Sequence, residues 1–91
     1  MVTKEITIKS LSGMESKQAA EFIQKASAYK ASIWIEKGER KANAKSLLGL
    51  LALGIGNNTK VVIGAEGEDA AAAVEELEKY ARIEFEDKSR L

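Results

Sequence analysis

The sequence predicts an α+β fold, an open-faced sandwich in which a four-stranded, mostly antiparallel sheet carries three helices on one face. Three observations lead there. The apolar period switches between about two and about 3.6 in the order β-α-β-β-α-β-α. Each helical segment shows an apolar stripe that a sheet face can bury. The chain has 91 residues, 45% apolar and 31% charged, enough for one domain spanning residues 1–91 but near the lower limit for a core without staples.

Val2, Ile6 and Ile8 alternate with Thr3, Glu5, Thr7 and Lys9, broken only by Lys4, which predicts a first strand from Val2 to Ile8. After Gly13, the apolar residues Ala19, Phe22, Ile23, Ala26 and Tyr29 recur at three- and four-residue steps. They predict a first helix from about Ser16 to Tyr29, with Glu21, Lys25 and Lys30 on its other side. Ile33 and Ile35 face away from Ser32, Trp34 and Glu36, and Gly38 supplies the turn into a short strand from Arg40 to Asn43. Trp34 then belongs to the open face of the sheet.

Ser46 precedes a leucine-dense run that closes at Gly54, so Ser46 can cap a helix of about two turns and Gly54 can end it. The NNT turn leads to a fourth strand over Lys60–Glu66, in which Val61, Ile63 and Ala65 alternate with Val62, Gly64 and Glu66. A third helix from about Asp69 to Phe85 carries acids at its start and Ala70, Val74, Leu77 and Ala81 on one stripe. The charged tail EDKSRL is expected to fray.

Composition excludes several kinds of chemistry. The chain has no Cys, so it can form no disulfide and offers no thiolate nucleophile or metal ligand. It has no His either, which removes the commonest general base, the commonest metal ligand and any phosphohistidine. Fourteen basic residues balance fourteen acidic ones without a basic block, which argues against direct nucleic-acid binding. The longest apolar run, Leu47 to Ile55, falls well short of the ~20 residues of a membrane-spanning helix, and MVTKEITIKS lacks a signal peptide's apolar core. A soluble, cytoplasmic protein is expected, with no cofactor and no metal.

Three features of the sequence bear on function. At about 100° per residue, Leu47, Leu48 and Leu51 occupy one arc of the second helix and Leu50 and Leu53 another. A two-turn helix on a one-sided sheet cannot bury both arcs, so one is either an apolar interaction patch or is covered by loops. Ser46 reads first as a plain N-cap, and otherwise as a site where an added phosphoryl group would meet the free N–H groups at the helix start, beside Lys45. Glu15, just before the first helix, satisfies N–H groups and the helix dipole, and Ser16 can share that cap.

Over nearly its whole length the chain resembles the HPr family of phosphocarrier proteins. Ser12-Gly13, Ala19-Ala20 and KASAYKASIWIE carry the likeness, and above all NAKSLLGLLALG from Asn43 to Gly54, which resembles the family's regulatory-serine motif. The family's second motif runs Gly, an apolar residue, His, Ala, Arg, Pro, Ala, with the His passing a phosphoryl group between proteins of the sugar phosphotransferase system. This chain reads Gly13, Met14, Glu15, Ser16, Lys17, Gln18, Ala19 at those positions. Glu15 replaces the phosphoacceptor, and Lys17 replaces the Arg with a non-bidentate cation.

Loss of that His with retention of the Ser resembles the Crh-like branch of the family, which acts in carbon catabolite repression. The resemblance implies that the ATP-dependent HPr kinase/phosphorylase modifies Ser46, and that the product binds a LacI-type, CcpA-like transcriptional regulator as corepressor. It also implies a docking patch of Leu47, Leu48 and Leu51 with Lys45 and Ala20 beside them, Lys17 as a basic contact, and a degenerate phosphoacceptor site at Glu15, Ser16 and Lys17. The expected role is therefore a phosphoserine-switched binding protein and not an enzyme, since no convergent acid, base and nucleophile are visible. The alternatives are an accessory interaction domain without phosphorylation, and the phosphocarrier role itself. The sequence leaves the oligomeric state open.

Overall fold

Seven elements follow one another in the computed structural model, which describes residues 1–9 and 13–85: β1 (Val2–Ile8), α1 (Ser16–Ala26), β2 (Ser32–Lys37), β3 (Arg40–Asn43), α2 (Leu47–Leu53), β4 (Thr59–Glu66) and α3 (Ala70–Phe85). The strands form one sheet in the order β1-β4-β2-β3, and all three pairings are antiparallel. Ile6 faces Val61 across β1 and β4, and Ile35 lies between Ile63 on β4 and Ala42 on β3.

This register puts the alternating apolar residues of every strand on one face. Ile6, Ile8, Ile33, Ile35, Val61, Ile63 and Ala65 are all buried there. Against them pack Ala19, Phe22 and Ala26 of α1, Leu50 and Leu53 of α2, and the α3 stripe of Ala70, Ala73, Val74, Leu77, Ala81 and Phe85. No polar or charged residue is buried among the described residues. Lys4, the break in the β1 pattern, is exposed, as its place on the edge strand allows.

The element boundaries differ from expectation at three places. Helix α1 ends at Ala26, three residues early, because Ala28 N–H turns back to Lys25 O and Tyr29 N–H to Ala26 O, the tighter i−3 pattern of a closing turn. Strand β4 starts one residue early, at Thr59, after Asn58 takes a left-handed φ of 60°. Helix α3 starts at Ala70, so no acid occupies its first turn. Asp69 precedes the helix, and its carboxylate is drawn off to the α1–β2 loop. The expected fraying of EDKSRL concerns residues 86–91, outside the described residues.

Candidate functional site

Helix α2 is held at both ends. At its start the Ser46 Oγ accepts the Gly49 N–H at 3.1 Å, from an extended backbone with φ −118° and ψ 114°, as an N-cap requires. Ser46 is half-buried, and its own N–H donates to Asn43 O at 3.1 Å. At the other end Gly54 adopts the left-handed C-cap conformation. Two cations from the β2–β3 hairpin finish that end: Lys37 Nζ donates to Leu53 O at 3.1 Å and Gly54 O at 2.7 Å, and Arg40 donates to Ala52 O at 2.8 Å. They satisfy free carbonyls and oppose the negative end of the helix dipole.

The leucines divide as the helical wheel requires. Leu50 and Leu53 are 2% and 3% exposed, whereas Leu47, Leu48 and Leu51 are 43%, 81% and 38% exposed. The described loops therefore do not cover the outer arc, and it forms an apolar surface that begins immediately after Ser46.

Lys45 is placed differently from a surface contact. Its Nζ donates to Tyr29 O at 2.8 Å and Ala31 O at 3.0 Å, while its N–H donates to Asn43 Oδ1 at 2.8 Å. The ammonium thus holds the α1–β2 loop. Asp69 grips the same loop through N–H groups, from Lys30 at 2.8 Å and Ala31 at 2.9 Å. The Lys30 N–H holds the Asp69 carboxyl below the usual aspartate range, helped by Ala31 and opposed by burial.

The other expected site lies at the start of α1. Glu15 is the N-cap residue and Ser16 is the first helical residue, so Ser16 does not share the cap. Gln18 Oε1 accepts the Glu15 N–H at 3.2 Å, half of a capping box. Glu15, Ser16, Lys17 and Ala20 are exposed, and Met14 just before them is buried. Met14 N–H donates to Ile55 O at 3.0 Å, which sets the start of α1 against the chain leaving α2. Glu15 and Ser46 therefore sit toward opposite ends of α2, a seven-residue helix about 10 Å long.

Sequence periodicity did not reveal the Lys37, Arg40, Lys45 and Asp69 contacts, because each joins residues 12 to 39 positions apart. The same holds for a polar seam that α3 makes with α1 and the loop after it. There Tyr29 donates to Glu76, and Tyr80 donates to Glu21 at 2.6 Å. Burial, then the Glu21 contact, pushes the Tyr80 hydroxyl well above its ordinary range. No group of three or more Asp or Glu side chains among the described residues is arranged to hold a metal ion, and no described helix is long and apolar enough to cross a membrane.

Known proteins with this architecture are similar to it in sequence. The family described as the phosphotransferase system (PTS) HPr component phosphorylation site matches residues 2–82. The HPr-like protein Crh of Bacillus subtilis is 34% identical over 92% of this chain and 99% of its own length. The Crh of Halalkalibacterium halodurans is 39% identical over 85% of this chain and 92% of its own. Among solved structures, HPr-C-His from Thermoanaerobacter tengcongensis superposes with a TM-score of 0.89 at 36% identity, covering 93% of this chain and 96% of that one. The crystal structure of Bacillus subtilis Crh, described as a domain-swapped dimer, superposes with a TM-score of 0.74 at 34% identity, covering 93% and 98%. With the family's sequence pattern running from the first strand into the last helix, and its sheet order and helices reproduced, this chain belongs to the HPr family and is a Crh-like relative of the phosphotransferase-system carriers.

Proposed function

We propose that this protein is a regulatory member of the family, switched by phosphorylation of Ser46 and unable to carry phosphohistidine. The observation that carries the proposal is the position of the Ser46 hydroxyl, at the start of α2 and next to the exposed leucines 47, 48 and 51. In the transfer, a bond forms between Ser46 Oγ and the γ-phosphorus of ATP, the bond to the β,γ-bridging oxygen breaks, ADP leaves, and the hydroxyl proton passes to a base of the kinase. The product places a charge of about −2 beside an apolar surface, a combined epitope that the unmodified protein lacks.

HPr kinase/phosphorylase is the enzyme we assign to this step, and a LacI-type, CcpA-like regulator is the reader of the product. The carrier role is excluded by chemistry, since the chain has no His and Glu15 stands where the acceptor would be. Glu15 instead places a carboxylate at the start of α1, where it serves either as a structural helix-terminus residue or as a weak, permanent imitation of the charged acceptor state.

Intact-mass measurement after incubation with HPr kinase/phosphorylase and ATP tests the proposal, with Ser46→Ala as control. One phosphate that vanishes in the variant is the expected result. No phosphate under conditions that modify an ordinary HPr would leave Ser46 as a helix cap and the leucine surface as an accessory interaction domain.

A further inference from the structure

Lys45 connects the proposed phosphorylation site to a loop elsewhere in the fold. Its ammonium is held by two carbonyl oxygens of the α1–β2 loop, Tyr29 O and Ala31 O. The same loop presents the N–H groups of Lys30 and Ala31 to the Asp69 carboxylate just before α3. A cation from the start of α2 and an anion from the start of α3 thus hold five loop residues, Ser27–Ala31, from two sides. Gly67, with φ +143°, brings the β4–α3 turn so close to Ala31 that an added Cβ would lie 2.9 Å from the Ala31 Cα.

We propose that phosphorylation of Ser46 recruits the Lys45 ammonium from these carbonyls and loosens the α1–β2 loop, so that the state of Ser46 is read out near α3 as well as at the leucine surface. The inference rests on the Ser46 reading above. Two neutral carbonyls hold the ammonium now, whereas a phosphoryl dianion on the adjacent residue would add attraction between opposite full charges to the hydrogen bond. A lysine stem of four rotatable carbons can make that change without moving its backbone. Lys45 is only half-buried and lines an open depression of about 460 Å³ with Lys30, Trp34, Lys41 and Asn43, so its side chain is not locked in the core. When the ammonium leaves, the Tyr29 and Ala31 carbonyls lose their side-chain donor, and the loop keeps only its Asp69 contacts and the Tyr29–Glu76 hydrogen bond as side-chain holds from α3 and the turn before it.

Amide hydrogen exchange at Lys30 and Ala31, followed by NMR on the phosphorylated and unphosphorylated full-length protein, tests the coupling. Phosphorylation should speed exchange at both amides by about tenfold, the equivalent of one lost hydrogen bond. Unmodified Lys45→Met should show the faster exchange already and respond no further to the phosphate. Uptake of one phosphate with unchanged exchange at these amides would overturn the coupling alone. Failure to take up any phosphate in the mass measurement would overturn the Ser46 reading and the coupling with it.

Discussion

Gly13 and Ile55 meet through backbone alone: a Cβ on Gly13 would lie 2.3 Å from Ile55 O, and Gly13 itself has φ +68°. The same carbonyl accepts the Met14 N–H at 3.0 Å. This contact fixes the start of α1, and so Glu15, against the end of α2. Gly13→Ala must pay both for the left-handed backbone and for the clash, a loss of about 2–4 kcal/mol. For a domain of this size the melting temperature should drop by roughly 10 °C or more. An unchanged melting temperature would show that the two loops can separate at no cost.

A second close approach governs the open face of the sheet. Trp34 lies across Gly64 of the neighbouring strand, with a Gly64 Cβ position only 2.4 Å from Trp34 Cε2. Lys41 Nζ stands 4.4 Å from the ring centroid, and the indole N–H donates to Glu36 at 2.8 Å. Gly64→Ala should displace the indole and destabilise the fold by about 1–3 kcal/mol. Because Trp34 is the only Trp, the native-state fluorescence spectrum reports the displacement directly. An unaltered spectrum would contradict the packing.

Ser46 has a measurable structural role apart from any phosphate. Removing the hydroxyl in Ser46→Ala leaves the Gly49 N–H without its acceptor and should cost about 1 kcal/mol in urea unfolding. Ser46→Asp keeps a capping oxygen and should unfold close to the unmodified protein. Equal losses in the two variants would show that the cap contributes nothing.

Much of this fold can be read from local pattern, and the reason lies in particular residues. β1 and β3 and the whole of α2 occupy the predicted ranges, because alternation, Ser46 and Gly54 are signals contained within a few positions. The division of the leucines also follows from helix geometry alone, once the sheet side is given. Tertiary contacts account for what could not be read. Tyr29 continues the α1 stripe in sequence, yet its carbonyl is taken by Lys45 and its hydroxyl by Glu76, and it lies beyond the helix. Asp69 has the composition of a dipole-stabilising acid and spends its carboxylate on a loop 38 residues away. Lys45 matched a docking position by resemblance, whereas its length lets it reach across to brace that loop.

Glu15→Gln separates the charge of the start of α1 from its shape. Gln keeps the size and an acceptor oxygen but removes the charge facing the positive end of the helix dipole, so stability should fall by about 0.5 kcal/mol. If the carboxylate imitates a charged acceptor site, affinity for the regulator should change as well when the phosphorylated forms are compared by calorimetry. Unaltered stability together with unaltered affinity would remove the mimic from the proposed function and leave Glu15 as an ordinary N-cap residue.

Acid should release the Asp69 grip in a defined window. The Lys30 N–H, followed by that of Ala31, favours the charged carboxylate and lowers its folded-state pKa below the ordinary 3.8, against the opposing effect of burial. A depressed pKa means that the folded state binds the proton less readily than the unfolded chain. The contribution to stability is therefore complete above pH 3.8 and is lost as the pH falls below it, through the folded-state value. In an NMR titration the amide shifts of Lys30 and Ala31 should move together, with a common midpoint below 3.8. Asp69→Asn should abolish this movement, since no proton remains to bind. Movement of the wild-type amides with a midpoint at or above 3.8 would mean that the two N–H groups do not stabilise the charged form, and would break the two-sided hold on the α1–β2 loop.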